Sequence, residues 1–307
     1  MAGQEPLRAL LASSVDYAGL FPPAKLALEP ALHNHAQYIR DPDAWMLGAF
    51  ILPVTEFAAA ARGLAEFDRE HPLRVSALGP KTGNVTEFLG SLDAAMEAID
   101  SFGATLGDRG SIEQFEMPLP ADFTPETMDG IRAHVLDRPL NTFWEVPASS
   151  AQNAIELIAT NNREHPERKL GFKLRTGGVT ADAFPSSAQI ATALSAAGTR
   201  GVPIKFTAGL HHPVRLFHDS VQTKMHGFLN VLGAGVLSLE HGWTEAQIVE
   251  MLEDEDPASF SFSEGGFAWR EARIAAERIR VHRELVTSFG SCSFDEPRED
   301  LRALKLL

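Results

Sequence analysis

Two lysines stand in the middle of short apolar segments, Lys173 in Gly171-Phe172-Lys173-Leu174-Arg175 and Lys205 in Ile204-Lys205-Phe206-Thr207. In both segments apolar and polar side chains alternate, and the two-residue period of a strand sends neighbours to opposite faces. Phe172 and Leu174 therefore face one way, Lys173 and Arg175 the other. An ammonium turned into a sheet interior needs a charge partner or a chemical task, because an unpaired buried charge is costly. Two of them on consecutive strands suggest a buried site for amine chemistry or anion binding. Suitable acids occur upstream. Glu116-Met117-Pro118 and Glu145-Val146-Pro147 repeat a Glu-x-Pro pattern, in which each proline stops a strand and each glutamate faces inward. Such glutamates either neutralise the lysines or tune their proton affinities.

The elements that must position these groups alternate along the chain. Strand-like runs fall at 10–18, 46–54, 73–78, 112–117, 142–146, 170–174, 203–207 and 259–263. Segments of helical composition separate them at 55–69, 87–102, 125–136, 149–162 and 186–197. A longer interval after the seventh strand holds an apolar stretch, 220–239, and an amphipathic one, 244–254. After the eighth run, 269–288 has charged residues opposite Ile274, Ile279, Val281 and Leu285, which predicts a helix. Eight strand–helix units in 307 residues predict one α/β domain, a (β/α)8 barrel with parallel strands and a longer insertion after strand seven. The domain spans 1–307, with 290–307 expected as a loosely packed polar tail. The turn after the first run, Asp16-Tyr17-Ala18-Gly19, lacks a glycine-rich dinucleotide fingerprint.

In such a barrel the site lies at the C-terminal strand ends. Those ends offer Asp16 and Tyr17 from the first strand and Lys81 and Asn84 beyond the third. Glu116 and Glu145 end the fourth and fifth. Lys173 and Arg175 precede Thr176-Gly177-Gly178, Lys205 and Thr207 precede Ala208-Gly209-Leu210-His211-His212, and the eighth run leads into Glu264-Gly265-Gly266. From residue 173 to 226 cationic and titratable side chains outnumber Asp182 and Asp219, which predicts a locally positive mouth and a small anionic ligand.

The spacing Lys173-Leu174-Arg175-Thr176-Gly177, followed one strand–helix unit later by Lys205-Phe206-Thr207-Ala208-Gly209, resembles the deoxyribose-phosphate aldolase family. The resemblance covers about residues 170–209. It implies a (β/α)8 barrel with a Schiff-base lysine on strand six, Lys173, and a second lysine on strand seven, Lys205, that depresses the first one's pKa. It also implies a proton-shuttling carboxylate on strand four and a phosphate cradle after strand eight. Here strand four carries Glu116 rather than aspartate, with Gln114 one inward position earlier. Glu264 in the loop expected after strand eight would repel a phosphate dianion, so a carboxylate or neutral carbonyl compound suits the site as well.

These residues predict an aldolase-like lyase acting on a small anionic carbonyl compound. Lys173, Lys205, Glu116 and Glu145 would do the chemistry. Asp16, Arg175, Thr176, Gly177, Gly178, Thr207, Gly209, His211, His212, Glu264, Gly265 and Gly266 would contact substrate. No cofactor is expected. Two alternatives use overlapping residues: a non-covalent or metal-assisted isomerase or lyase that stabilises an enolate, and a non-catalytic ligand-binding barrel. His211, His212, His218, Asp219 and His226 would be the metal ligands, although their spacing matches no compact zinc pattern, and the favoured expectation is no metal.

Composition narrows the partners. A net charge of −14 argues against nucleic acid and anionic membranes. One cysteine, Cys292, permits neither an intrachain disulfide nor a thiolate cluster. No secretory pattern opens the segment Met1-Ala2-Gly3-Gln4-Glu5-Pro6 and no apolar run reaches bilayer length, so a cytoplasmic setting is expected. An exposed apolar face on 220–239 would favour a homo-oligomer.

Overall fold

Eight short strands, largely buried, pair in parallel and close on themselves in the computed structural model, which describes residues 4–307. Met1, Ala2 and Gly3, part of the segment read for a secretory pattern, lie outside the described residues. The barrel strands are β1 (Val15–Tyr17), β2 (Leu47–Pro53), β3 (Leu73–Leu78), β4 (Gly110–Pro118), β5 (Asn141–Glu145), β6 (Leu170–Arg175) and β7 (Ile204–Thr207), with an eighth far downstream. The chain opens with α1 (Gln4–Leu11), and α2 (Leu28–Tyr38), α3 (Phe57–Ala60), α4 (Val85–Leu106), α5 (Pro125–Val135), α6 (Ala151–Glu164) and α7 (Ser187–Arg200) follow β1 to β6. This is the (β/α)8 architecture that the alternation predicts.

Local sequence explains the punctuation. Asn84 accepts the Glu87 amide and starts α4, and Ser186 exchanges hydrogen bonds with Gln189 to start α7, each satisfying amides a helix start leaves free. Gly201 ends α7 in the left-handed conformation that glycine adopts without penalty. The outward-facing residues of the strands pack under the helices: Phe115 and Trp144 meet edge-on, and Phe88 of α4 meets the same indole.

The insertion after β7 holds the hairpin β8 (Leu216–His218) and β9 (Thr223–Met225), then α8 (Phe228–His241), α9 (Glu245–Leu252), the antiparallel strands β10 (Phe260–Ser263), β11 (Gly266–Trp269) and β12 (Ala272–Ile274), and α10 (Ala276–His282). Only then comes the eighth barrel strand, β13 (Val286–Ser291), between β7 and β1. The last helix is α11 (Asp295–Ala303). Among the described residues no helix is long and apolar enough to cross a membrane.

Four expectations need correction. The run at 259–263 is an antiparallel strand of the small sheet beside α1 and α8, not the eighth barrel strand, so Glu264 and Gly265 form its hairpin turn, Gly266 opens β11, and none of the three lines the cavity at the barrel mouth. The run at 269–288 is not one helix. Arg270 takes a positive φ of 51° that ends any helical path, Ile274 is buried on β12, and Val281 on the supposed apolar face is 50% exposed. Its end begins a strand with the β-branched pair Val286-Thr287. The run at 10–18 divides between α1 and a three-residue strand. The segment 290–307 is no loose tail: Gly290 and Ser291 belong to β13, and Phe294 and Leu301 are fully buried.

Candidate active site

Strand register brings the predicted residues together. Glu145 is in register with Lys173, and Lys173 with Lys205, so three neighbouring strands present their charged groups at matched register positions. Adjacent strands lie ~4.8 Å apart, which would leave the two ammonium groups side by side. Glu116 on β4 crosses the interior to meet both. Its Oε2 lies 2.8 Å from Lys173 Nζ and its Oε1 2.6 Å from Lys205 Nζ. Glu145 Oε2 lies 2.9 Å from Lys173 Nζ on the other side. Asp16 on β1 completes the group, with Oδ2 2.6 Å from Lys205 Nζ.

Polar groups from three further positions hold the carboxylates in place, and a fourth holds Lys205. Ser76 Oγ donates to Glu116 Oε1 at 2.5 Å, Ser288 Oγ to Asp16 Oδ2 at 2.6 Å, and the Ala49 amide to Asp16 Oδ1 at 2.6 Å. Gln114 Oε1 accepts from Lys205. The neighbouring Gly48 is needed for this arrangement, since a Cβ there would stand 2.2 Å from Asp16 Oδ1. Two ammonium groups thus face three carboxylates in the interior, and Arg175, half-exposed at the rim, supplies a third cation through Glu145 Oε1 at 3.3 Å. Barrel interiors are usually filled by branched apolar side chains. This one is ionic, and a buried cluster of this kind is retained at the expense of stability that apolar packing would supply.

The cluster changes the expected protonation of Lys173. Burial pushes the amine's pKa down, but Glu116 and Glu145 outweigh that and raise it above its ordinary value of 10.5. Lys205 is itself matched by Asp16 and Glu116, so the carboxylates dominate the surroundings of Lys173. Burial pushes Glu116 up, yet the two lysines hold its carboxyl far below the usual range. Glu145 is likewise lowered by Lys173 and Arg175 against the effect of burial.

A cavity of about 1030 Å³ opens above the strand ends, lined by Lys173, Glu145 and Arg175, with Lys81, Thr82, Gly83 and Asp182 farther round the wall. Lys173 reaches it; Lys205, with no exposed surface, lies beneath. The remaining predicted residues are distributed around this centre. Thr176 Oγ1 donates to the Ala208 carbonyl at 2.6 Å, which joins the loops after β6 and β7. Gly177 and Gly209 let those loops touch, a Cβ on either falling 2.8 Å from the other's Cα, and Gly209 has φ +75°. Thr207 ends β7, while Gly178, His211 and His212 line a smaller cavity of about 140 Å³. The histidines turn to separate partners: His211 to Glu296 at 2.9 Å, His212 to Asp300 at 2.6 Å, His218 to Ser220 at 2.8 Å and His226 to the Pro185 carbonyl at 2.8 Å. Among the described residues no group of three His, Cys, Asp or Glu side chains is arranged to hold a metal. Arg200, Arg215 and Lys224 are engaged by Glu156 and Glu255 and do not line the large cavity.

Ser76 and Ser288 escape sequence reading. Ser76 is the inward member of an alternating strand and was open to detection by period; Ser288 falls in a stretch whose helical pattern hides the strand.

Fold and site together define a (β/α)8 barrel with a buried lysine–carboxylate cluster that opens on a cavity at the C-terminal ends of its strands. No family model matches the sequence, and no curated protein matches it.

Proposed function

We propose that the protein is an aldolase-like lyase that acts on a small anionic carbonyl compound through a Schiff base at Lys173. The observation that carries this reading is the contrast between the lysines: Lys173 faces the cavity, whereas Lys205 is sealed beneath it against the same glutamate. Lys173, after losing a proton, would attack the carbonyl carbon. A C–N bond forms and the carbonyl oxygen leaves as water. The cationic imine then takes up the electron pair of the adjacent carbon–carbon bond, while the proton of the β-hydroxyl passes to Glu145 or to water beside it. An aldehyde departs, the enamine carbon is protonated, and water releases the second product. Arg175 and Lys81 would receive the substrate's anionic group. With Glu264 outside the mouth, its repulsion no longer argues against a phosphorylated substrate.

A second reading has its own support. The carboxylates that raise the pKa of Lys173 favour an ammonium, which could stabilise an enolate without forming a bond. Reduction with borohydride in the presence of a panel of small aldehydes, 2-oxo acids and phosphorylated carbonyl compounds separates the two. A stable adduct mapped by mass spectrometry to Lys173 supports the imine; a saturated enzyme that turns substrate over yet never traps supports the enolate.

The imine reading also predicts a pH effect. Glu145→Gln removes one of the two charges that raise Lys173, so the amine deprotonates at lower pH and the rising alkaline limb of the trapping rate shifts toward neutrality. An unmoved limb in a folded variant would count against Glu145 as the group that sets it.

A further inference from the structure

A second cavity, of about 340 Å³, lies at the barrel's N-terminal face, lined in part by Ser13, Gln114, Arg283, Thr287 and Ser288. Two of these residues also belong to the ion cluster: Gln114 accepts from Lys205, and Ser288 donates to Asp16. Contacts therefore run unbroken through the barrel. From the floor they pass from Ser288 Oγ to Asp16 Oδ2 at 2.6 Å, to Lys205 Nζ at 2.6 Å, to Glu116 Oε1 at 2.6 Å and, from Glu116 Oε2, to Lys173 Nζ at 2.8 Å, which faces the upper cavity. Branched apolar layers normally close this axis. Here every link carries a group that can give or take a proton.

We infer that this column is a proton outlet through the barrel floor, with Ser288 as the positioning residue that connects the cluster to water in the lower cavity. The inference rests on the proposed lyase reading for its use, though not for its existence. Lys173 must shed a proton before it attacks, and a substrate seated in the upper cavity stands between it and bulk water. The floor offers the other way out. Lys205 gives a proton to Asp16 Oδ2, the Ser288 hydroxyl turns its hydrogen from that oxygen to the water below, and Ser288 releases that proton as it takes the one from Asp16. Lys173 then gives a proton to Glu116 Oε2, and the Glu116 carboxyl turns to hand that same proton to neutral Lys205. One proton leaves, Lys173 is left as a free amine, and every other group is restored. The charged groups facing this path are Glu145 and, through it, Arg175 at the top, and Arg280, Arg283 and Glu284 around the lower cavity.

The test uses Ser288→Ala, Ser288→Thr and Gln114→Met in the full chain, each checked by its melting temperature. In protein labelled with ¹⁵N-lysine, exchange of the Lys205 ammonium hydrogens with water is followed by NMR. The pre-steady-state rate of borohydride trapping at Lys173 is measured in parallel. Ser288→Ala is expected to slow both by ~10-fold, below the ~10²–10⁴ of a direct proton-transfer group, with KM unchanged, and Ser288→Thr to restore both. Gln114→Met keeps the question open to refutation should Ser288→Ala not fold, because loss of the Gln114 acceptor should slow the same exchange. Unchanged exchange in the folded variants overturns the outlet, as does slowed exchange with an unchanged trapping rate. Slowed exchange in a protein that never traps a carbonyl compound upholds the outlet and defeats the Schiff-base reading alone.

Discussion

Glu116→Gln is expected to lower folding stability by ~3–5 kcal/mol, the range for removing one partner from a buried ion pair. The residue has no exposed surface and touches two ammonium groups that are nearly as deeply buried. Glutamine keeps the shape and removes the charge, so two cations in register on neighbouring strands would lose the carboxylate that stands between them. Urea unfolding at neutral pH measures the loss as a lower midpoint. Its pH dependence is a second signature. Because the folded protein holds the Glu116 carboxyl well below its ordinary value of 4.5, its contribution is present above that value and is lost as pH falls beneath it. The acid limb of stability should therefore flatten in Glu116→Gln. Combining it with Lys205→Met should recover part of the loss, since one unmatched ammonium goes with it. A single variant as stable as the parent would mean that the cluster relaxes by admitting water.

Lys173→Met is expected to abolish borohydride trapping and to lower turnover of a trapped substrate by ~10³-fold or more, on the scale of losing a nucleophile. Its effect on stability should be smaller than that of Glu116→Gln. Lys205 still matches Glu116, and Arg175 still matches Glu145, when the Lys173 ammonium is gone. The alkaline limb gives the sign. The folded state raises the Lys173 pKa above 10.5, so its stabilising contribution is complete below that value and is lost as pH rises through the folded one. Lys173→Met should show a flatter alkaline limb. Turnover that survives the substitution would remove Lys173 from the chemistry and leave Arg175 and Lys81 as the cations of a different mechanism.

Both outcomes depend on a division of labour that only one of the lysines' surroundings creates. Lys173 and Lys205 share Glu116 and occupy matched register positions, yet one borders the large cavity and the other is enclosed with Asp16, Ser76 and Gln114. Nothing in the two short segments distinguishes them. The distinction comes from what lies above: the loops after β3 to β6 leave space over Lys173.

The inward turn of Lys173, Lys205, Glu116 and Glu145 was legible because side-chain direction in a strand is local, fixed by a two-residue period that apolar neighbours mark. The alternation of strands and helices was legible for the same reason, and it determines the class of barrel. The identity of the eighth strand was not. Val286–Ser291 follows the helix α10 directly, and its place between β7 and β1 exists only once the barrel closes. Nor could sequence assign acids to amines. Ser288 and Asp16 are 272 positions apart and meet because the last strand lies beside the first. Closure, a property of the whole chain, decided that Lys205 meets Asp16, that Lys173 lies between two glutamates, and that the column of contacts runs from floor to mouth.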